Sequence, residues 1–328
     1  MLNNSNILLF VPGGEGIYGT EIKKKLEQNG AYVKIYNERP SSSFLNKAFI
    51  RLFKQYSYIL IDIYIKKIIE KNVNIQFNWV LIIRGEAFHP STIRILRKSY
   101  PNAKFILYLW DSINNTDTRN IIPFFDKAFS YDPFDVSNNS LLIYQPTFYL
   151  DQYRDIPNVK LYEVDSIFIG TIHSDRFDVL NQIKLQLSYQ CLSYYYYMYF
   201  PHRILYYRKY IIDSEFRNTS LHEFHFSMLC LEKTIAKILI ARSSLDITHP
   251  VQTGLTLRPI EMLGAKKKLI TTNHNIKYYD FYDQQNILII DRKKPVIDKD
   301  FIYSPYNDID LHIYNKYSLQ SWVNTIFS

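Results

Sequence analysis

Polar residues that could bind a diphosphate are concentrated between positions 246 and 273 of the 328-residue chain. A loop that contains Gln252, Thr253 and Gly254 leads into a predicted helix, and Thr256 stands directly before that helix. The free N–H groups and the dipole of a helix N-terminus favour a bound anion. This stretch therefore predicts a phosphate site at the start of the helix.

The same predicted helix carries two charged side chains, Arg258 and Glu261. A carboxylate one turn into such a helix can accept hydrogen bonds from the ribose hydroxyls of a bound nucleotide. An arginine beside it can stabilise the charge on a leaving phosphate. Side chains three positions apart on a helix also form simple ion pairs. Both interpretations of this pair remain open.

A second candidate phosphate site is the segment IGTIHSDR at 169–176, where a predicted strand gives way to a glycine, small polar residues and a helix. Backbone N–H groups at such a turn can hold a phosphate, and an arginine can add a bidentate contact. The alternative is an ordinary helix start with Ser174 as its cap. The candidate ligand-binding residues are Gly170, Thr171, His173 and Arg176.

A glycine-rich loop, PGGEGIYGT at 12–20, follows the first predicted strand. Its last three glycines match the spacing G-x-G-x-x-G of dinucleotide-binding loops, but Glu38 lies beyond the second strand, where it is a poor match for the expected acidic residue. We interpret the loop as acceptor-binding or flexible, and a plain tight turn is the alternative. The residues assigned to it are Gly13, Gly14 and Gly16.

Composition limits the class of protein. The chain has a net charge of +8, which favours anionic partners. The basic residues are scattered and no nucleic-acid module is present, so a nucleic-acid-binding protein is the weakest interpretation. Two cysteines fit neither a disulfide framework nor a zinc site. No metal-ligand spacing stands out either: HEFH at 222–225 supplies two histidines on a possible helix without a third ligand. We therefore expect no bound metal or cofactor.

Short apolar runs alternate with amphipathic stretches along the whole chain, which is typical of α/β proteins. We predict two α/β domains over residues 1–150 and 151–328, of which the first is a doubly wound parallel sheet and the second a further α/β series. The polar segment 149–163 is interpreted as the connection between them, and the last helix as one that could cross back to the first domain. No apolar run is long enough for a membrane span, which indicates a cytoplasmic protein.

Individual elements follow from the same patterns. The predicted strands are Asn6–Val11, Ala31–Tyr36, Trp79–Ile83, Lys104–Leu109, Lys127–Tyr131, Leu141–Tyr144, Ser166–Ile169, Leu245–Thr248, Lys268–Thr272 and Asn286–Ile290. The predicted helices are Thr20–Asn29, Leu45–Lys71, Pro90–Ser99, Arg176–Leu187, Glu223–Ile240, Leu257–Gly264 and Ser318–Phe327.

Residues 189–212 contain the run YYYYMYF at 194–200 with Arg203, Arg208 and Lys209 close by. A basic and aromatic patch of this kind is typical of a surface that touches lipid. A buried strand followed by a helix fits the same residues, and periodicity does not decide between the two.

Several blocks resemble bacterial GT-B glycosyltransferases of capsular and lipopolysaccharide biosynthesis, related to the CgeB-like group. They occur in order over most of the chain. The blocks are LYLWDSINN (107–115), FDKAFSYDPFD (125–135), IFIGTIHSDRF (167–177), LDITHPVQTGLTLRPIEMLGAKKKLITTN (245–273), YYDFY (278–282) and NILIID (286–291).

The resemblance implies two Rossmann-like domains facing a central cleft, with a nucleotide-sugar donor on the C-terminal domain and the acceptor on the N-terminal one. It implies a metal-independent, hexosyltransferase-type enzyme that acts on a surface glycan or a lipid-linked precursor, with contact to the inner face of the plasma membrane as a further possibility. A non-catalytic glycan- or nucleotide-binding protein of the same fold is the alternative.

One departure concerns the mechanism. Many retaining members of this group carry two glutamates eight positions apart; Glu261 matches the second, whereas Thr253 stands in place of the first. Inversion is therefore favoured, and it needs a general base to take a proton from the acceptor hydroxyl. Three acidic residues at predicted strand ends or loops are candidates, in the order Asp111, Glu86 and Glu15. Asp111 could instead hold the following loop or cap a helix.

Overall fold

The computed structural model describes residues 2–40, 54–154, 156, 162–214, 216–250 and 252–328, with only the backbone described at 54–57. The chain forms two compact units. The N-terminal unit consists of Met1–Thr147 together with Leu319–Ser328, and the C-terminal unit consists of Phe148–Ser318. Across the described ranges, no helix combines the length and the apolar character needed to cross a membrane.

Strands and helices alternate in the first part of the chain. They are β1 (Asn6–Val11), α1 (Ile17–Gln28), β2 (Tyr32–Asn37), α2 (Lys54–Lys71), β3 (Trp79–Ile83), α3 (Pro90–Ser99), β4 (Lys104–Leu109), α4 (Ile113–Thr116), β5 (Lys127–Ser130), α5 (Pro133–Ser137) and β6 (Leu142–Tyr144).

The same alternation continues to the end of the chain. The elements are α6 (Asp151–Arg154), β7 (Val164–Thr171), α7 (Arg176–Tyr189), β8 (Tyr194–Tyr199), α8 (Arg203–Ile212), β9 (Phe224–His225), α9 (Leu231–Leu239), β10 (Ala241–Asp246), α10 (Leu257–Gly264), β11 (Lys268–Thr271), β12 (Ile287–Ile289), α11 (Lys299–Tyr303), α12 (Leu311–Lys316) and α13 (Leu319–Ile326).

Each unit is built on one six-stranded sheet in which every described strand pair is parallel. The strand order is β2-β1-β3-β4-β5-β6 in the N-terminal unit and β12-β11-β10-β7-β8-β9 in the C-terminal unit. The order reverses between β1 and β3 in the first sheet and between β7 and β10 in the second. Such a switch point leaves a crevice beyond the carboxyl ends of the strands, which is where ligands bind in open α/β sheets. The predicted fold class, two Rossmann-like domains, is confirmed.

Strands β1 and β3 of the N-terminal sheet are almost entirely apolar because helices cover both faces of a parallel sheet, whereas β7 and β10 of the C-terminal sheet include polar residues such as Asp165 and Asp246. Residues Ile7–Val11 of β1 and Val80–Ile83 of β3 are fully buried. The last helix, α13, packs on the N-terminal unit, where the Trp322 ring meets the edge of Tyr108 at 5.0 Å between centroids.

Several local predictions are wrong. The helix predicted at 223–240 is a short strand, β9, followed by a shorter helix, α9, and the strand predicted at 245–248 ends at Asp246. The predicted polar connection at 149–163 starts inside the C-terminal unit, since Tyr149 and Tyr153 are both buried. Part of the helix predicted at 45–71 lies outside the described residues.

Candidate functional site

A half-buried arginine, Arg176, connects the two strands at the switch point of the C-terminal sheet. The Arg176 guanidinium donates to the carbonyl of Thr171 at the end of β7 and to that of Ile247 just after β10, both at 2.7 Å. Burial lowers the pKa of Arg176 to about 10, so it stays charged at neutral pH. Two of its N–H groups therefore bind backbone carbonyls at the crevice and stabilise the fold there, in addition to any role in binding a ligand.

The loop before α10 is held by side chains from the two neighbouring strands. Asp246, at the end of β10, accepts hydrogen bonds from Thr256 at 3.0 Å and from Thr271 at 2.9 Å. Burial raises the pKa of Asp246, and these hydroxyl donors oppose the shift. Asn273 and Asn275 donate to the backbone carbonyls of Gly254 and Thr253. The backbone between 253 and 256 is thus positioned before any ligand arrives.

Helix α10 begins at Leu257, and Thr256 is its N-cap position. Arg258 lies in its first turn, contacts the β7 carbonyl of Ile169 at 3.2 Å and pairs with Glu261 at 2.8 Å. The buried Tyr153 hydroxyl hydrogen-bonds the Glu261 carboxylate. Glu261 is only 4% exposed. The helical ion pair considered from the sequence is present, and it leaves the Glu261 carboxylate shared between an arginine and a tyrosine.

The loop after β7 is electropositive. His173 and His249 lie with their rings 5.5 Å apart, and Arg292 pairs with Asp175 at 2.6 Å. Burial lowers the pKa of His173 to about 4, and the positive charges of Arg176, His249 and Arg292 add to this shift while Asp175 opposes it. His173 is therefore neutral at pH 7. Desolvation is the largest cause of this shift, and the neighbouring arginines are the groups that could attract a phosphate.

The other residues predicted here occupy the same edge of the sheet. Gly170 and Thr171 are the last two residues of β7. A Cβ at Gly170 would lie 2.8 Å from the Phe168 ring, so the glycine serves packing as well. The backbone N–H of Gln252 closes a turn onto the carbonyl of His249 at 3.0 Å. Ser174 does not cap α7; that position is Asp175.

The glycine loop of the N-terminal unit follows β1 at the switch point. Gly13 and Gly14 adopt positive φ angles of 82° and 58°. The N–H of Gly13 donates to the Asn37 side chain at 3.0 Å. Gly16 is the N-cap of α1, and a Cβ at Gly19 would lie 1.9 Å from the Gly14 carbonyl oxygen. The glycines therefore let α1 start close to β1.

A buried group of acids and arginines lies beyond β2 and β3. The Arg39 guanidinium contacts Glu86 at 2.6 Å and Glu38 at 3.4 Å, and Arg84 also pairs with Glu86. Glu38 is 1% exposed and Arg39 5%. Burial raises the pKa of Glu38 to about 7, although Arg84 and Arg39 oppose the shift. Arg84 and Gly85 have φ angles of 74° and 76°; for Arg84 this is a strained backbone, of the kind that clusters at functional sites.

The three candidate bases differ in their surroundings. Glu86 is held by two arginines. Asp111, after β4, is partly exposed, lies 3.7 Å from Arg84, and accepts a hydrogen bond from the Asn115 amide at 3.0 Å. Glu15 is largely exposed and lies 3.8 Å from Lys23. The cap of the helix after Asp111 is Ser112, so Asp111 is not that cap.

No group of three His, Cys, Asp or Glu residues within the described ranges could hold a metal ion. In HEFH, His222 lies in a turn of 3-10 helix and His225 in β9, so the two histidines do not share an α-helix.

Sequence reasoning missed three residues that complete these arrangements. Tyr153 was placed in a polar connection, and Asp246 and Arg292 were given no role. All three act through contacts between distant parts of the chain: Tyr153 with α10, Asp246 with Thr256 and Thr271, and Arg292 with Asp175 and the carbonyl of Thr248. The sequence placed Asp246 inside the strand predicted at 245–248, so only the structure shows that it lies at a strand end.

No protein-family model and no curated protein sequence matches the chain. Solved structures do match over nearly its whole length. A glycosyltransferase from Rickettsia africae matches with a TM-score of 0.51 and 14% identity, over 99% of this chain and 88% of its own. The Anabaena protein HepE, in complex with UDP and glucose, matches with a TM-score of 0.57 and 9% identity, over 98% of each chain.

A UDP-GlcNAc 2-epimerase from Methanocaldococcus jannaschii, in complex with UDP-GlcNAc and UDP, matches with a TM-score of 0.53 and 10% identity, over 99% of each chain. At these identities the likeness concerns the fold. Together with the two parallel sheets, it shows that this chain has the two-domain GT-B fold that it shares with the Rickettsia glycosyltransferase, with HepE and with this epimerase.

Proposed function

We propose that the protein is a glycosyltransferase that moves a sugar from a nucleoside-diphosphate sugar to an acceptor on a surface glycan or its lipid-linked precursor. The observation that carries the proposal is the arrangement around α10. An electropositive loop, a helix N-terminus and the ion pair of the half-buried Arg258 with the buried Glu261 meet there at one switch point. Fold neighbours bound to UDP, with glucose or with UDP-GlcNAc, support a donor of this class.

In this proposal the donor diphosphate binds at the N-terminus of α10, against the backbone of Thr253, Gly254 and Thr256. The dipole and free N–H groups of the helix favour the anion. Arg258 stabilises the charge that develops on the departing diphosphate, which removes the need for a metal ion. Glu261 accepts hydrogen bonds from the ribose hydroxyls through carboxylate oxygens that Arg258 and Tyr153 hold in place.

The proposed transfer proceeds with inversion. A carboxylate takes the proton of the acceptor hydroxyl, the oxygen attacks the anomeric carbon, and the bond to the diphosphate breaks. Asp111 is the preferred base because it is partly exposed and interacts with one arginine at 3.7 Å, whereas Glu86 is held by two. Arg84 contacts both carboxylates and would orient Asp111. We include contact with the inner face of a membrane in the proposal, because a lipid-linked acceptor would reside there.

The first experiment is thermal unfolding of the protein with a panel of nucleoside diphosphates and their sugars, with and without EDTA. A ligand that binds the native state raises the melting temperature by mass action. We expect a selective increase with one nucleotide that EDTA does not abolish. The absence of an increase with every nucleotide would contradict the proposed donor site, and an increase abolished by EDTA would contradict metal independence.

A variant pair assigns the ribose contact. Glu261→Gln keeps the shape of the side chain but removes the charge, and we expect donor affinity to fall by about tenfold or more, since hydrogen bonds to charged groups contribute about 1.5–3 kcal/mol. Asp135→Asn is the matched control, because Asp135 is also a buried carboxylate, accepting from the N–H of Ile113 at 2.8 Å in the N-terminal unit. Equal donor affinity in Glu261→Gln and wild type would refute the assignment.

The fold neighbours include a UDP-GlcNAc 2-epimerase, so epimerisation of a nucleotide sugar is a second candidate activity. Incubation with UDP-GlcNAc and no acceptor separates the two, because an epimerase converts the donor alone whereas a transferase needs an acceptor. Binding without conversion or transfer, with any acceptor supplied, would favour the non-catalytic binding protein of the same fold.

A further inference from the structure

The tyrosine-rich segment identified in the sequence divides into two parts with different surroundings. Residues Tyr194–Tyr199 form β8, paired with β7 and β9 inside the sheet. The following helix, α8 (Arg203–Ile212), lies on the surface of the unit, and Tyr206 is its one fully buried side chain. Tyr206 packs in an aromatic cluster with Phe200, Phe216 and Phe224. The strand is therefore structural, and only the helix is available to a partner.

The outward side of α8 is apolar, the reverse of an ordinary surface helix. Ile204, Tyr207 and Ile211 have 56%, 50% and 69% of their surface exposed. Positions i, i+3 and i+7 share one side of a helix, so these three side chains form a continuous stripe. At 100° per residue the stripe lies well away from Tyr206, on the solvent side. A helix surface that contacts only water normally carries polar side chains rather than isoleucine and tyrosine in a stripe.

Basic residues flank this apolar stripe. Arg203 and Arg208 are exposed and fall on its two sides in the helical projection. Segment 203–217 carries four basic and two acidic residues. One of the acids, Asp213, is paired with Lys209 at 2.8 Å. An apolar stripe with basic residues on both sides matches the interface of a bilayer that contains acidic lipids. There the acyl chains are apolar and the headgroups above them are anionic.

We propose that α8 is a membrane-docking helix that inserts Ile204, Tyr207 and Ile211 among the acyl chains of an anionic bilayer while Arg203 and Arg208 contact lipid phosphates. Lys209 on the same helix donates to the carbonyl of Ser174, beside His173, at 3.3 Å. Docking would therefore place the loop after β7 close to the membrane surface. This surface adds detail to the membrane contact of the proposed function, but vesicle binding itself requires no sugar donor.

The test is co-sedimentation of the full chain with vesicles of phosphatidylcholine alone or with added phosphatidylglycerol, over a range of salt concentrations. We expect binding to the anionic vesicles that weakens with salt. Ile204→Gln/Ile211→Gln removes apolar contact without changing charge, and its binding constant should fall by about tenfold or more. Arg203→Gln/Arg208→Gln should lower binding by about fivefold for each arginine and reduce the salt dependence.

Val296→Gln/Leu311→Gln is the matched control, since both residues belong to the same unit and are 67% and 69% exposed. It should bind vesicles as wild type does, and unchanged circular dichroism verifies the fold of every variant. The proposal is overturned if the wild-type protein does not co-sediment with anionic vesicles. Vesicle binding by Ile204→Gln/Ile211→Gln that equals that of wild type also overturns it. A third contrary result is a protein that binds no vesicles but self-associates through α8, with the self-association lost in this variant. Because no donor is present, any of these results leaves sugar transfer untouched.

Discussion

Each sheet carries a desolvated titratable group beyond the carboxyl end of a strand, Glu38 after β2 and His173 after β7, but desolvation shifts their pKa values in opposite directions. In the N-terminal unit the buried Glu38 becomes neutral by holding a proton, and its pKa rises to about 7. In the C-terminal unit the half-buried His173 becomes neutral by losing a proton, and its pKa falls to about 4. Desolvation is the largest cause of both shifts, since it disfavours whichever form is charged.

The two edges therefore respond oppositely to pH. Glu38 in the folded protein holds its proton between pH 4.5 and 7 where the unfolded chain has released it, so its contribution to stability falls as pH rises through this window. His173 in the folded protein remains neutral between pH 6.5 and 4 where the unfolded chain binds a proton. Its contribution falls as pH drops through that window. The comparison shows that desolvation keeps the acid protonated at one edge and the imidazole unprotonated at the other.

The largest effect should come from the ion pair of α10. Arg258→Met leaves the buried Glu261 without its arginine, and breaking a buried pair lowers the free energy of unfolding by about 3–5 kcal/mol. Urea unfolding measures the change. Arg258→Met/Glu261→Met should recover most of the loss, because two apolar side chains replace both charges.

The equivalent change in the N-terminal unit, Arg39→Met, should cost less. Glu86 keeps its pairing with Arg84, and Glu38 can remain protonated. Equal destabilisation by Arg39→Met and Arg258→Met would contradict this expectation. It would mean that the second arginine beside Glu86 does not compensate for the loss of Arg39.

A smaller effect, with a pH signature, is expected at Glu38. Glu38→Gln removes a carboxyl that is costly to ionise where it is buried, so the variant should be more stable than wild type at pH 8, by at most about 3 kcal/mol for a shift of this size. At pH 5 the advantage should largely disappear, because wild-type Glu38 is then protonated. Urea unfolding at the two pH values measures this, and an advantage that does not change with pH would argue against titration of Glu38.

The smallest effect is a change in titration at His173. A diphosphate bound beside the loop after β7 favours the charged imidazole, so UDP should raise the His173 pKa from about 4 toward its ordinary value. NMR titration of the histidine resonances with and without UDP measures the change. Uridine, which lacks the phosphates, is the control and should leave the pKa as it is. An identical titration with UDP and without it would place the diphosphate elsewhere.

Helices and strands were predictable where their apolar pattern and their boundary residues are both visible in the local sequence. Strands β1, β3 and β4 and helices α3 and α10 begin and end at the predicted residues. Continuous apolar runs indicate buried strands, and Pro90 and Gly264 mark helix boundaries. Elements whose form depends on neighbours were missed. The two-residue strand β9 forms because it pairs in parallel with the edge of β8. The helical pattern of the local sequence gave no indication of this pairing.

The sequence by itself determined the fold class and the edge of each sheet on which polar residues accumulate, because alternation of apolar runs and glycine placement are local properties. Only the tertiary structure decided how charged residues are paired. Tyr153, Arg258 and Glu261 meet through packing of α6 against α10. Glu38, Arg39 and Glu86 meet beyond the ends of β2 and β3, which β1 separates in the sheet. Burial and distance set these interactions, and both arise from contacts between residues far apart in sequence.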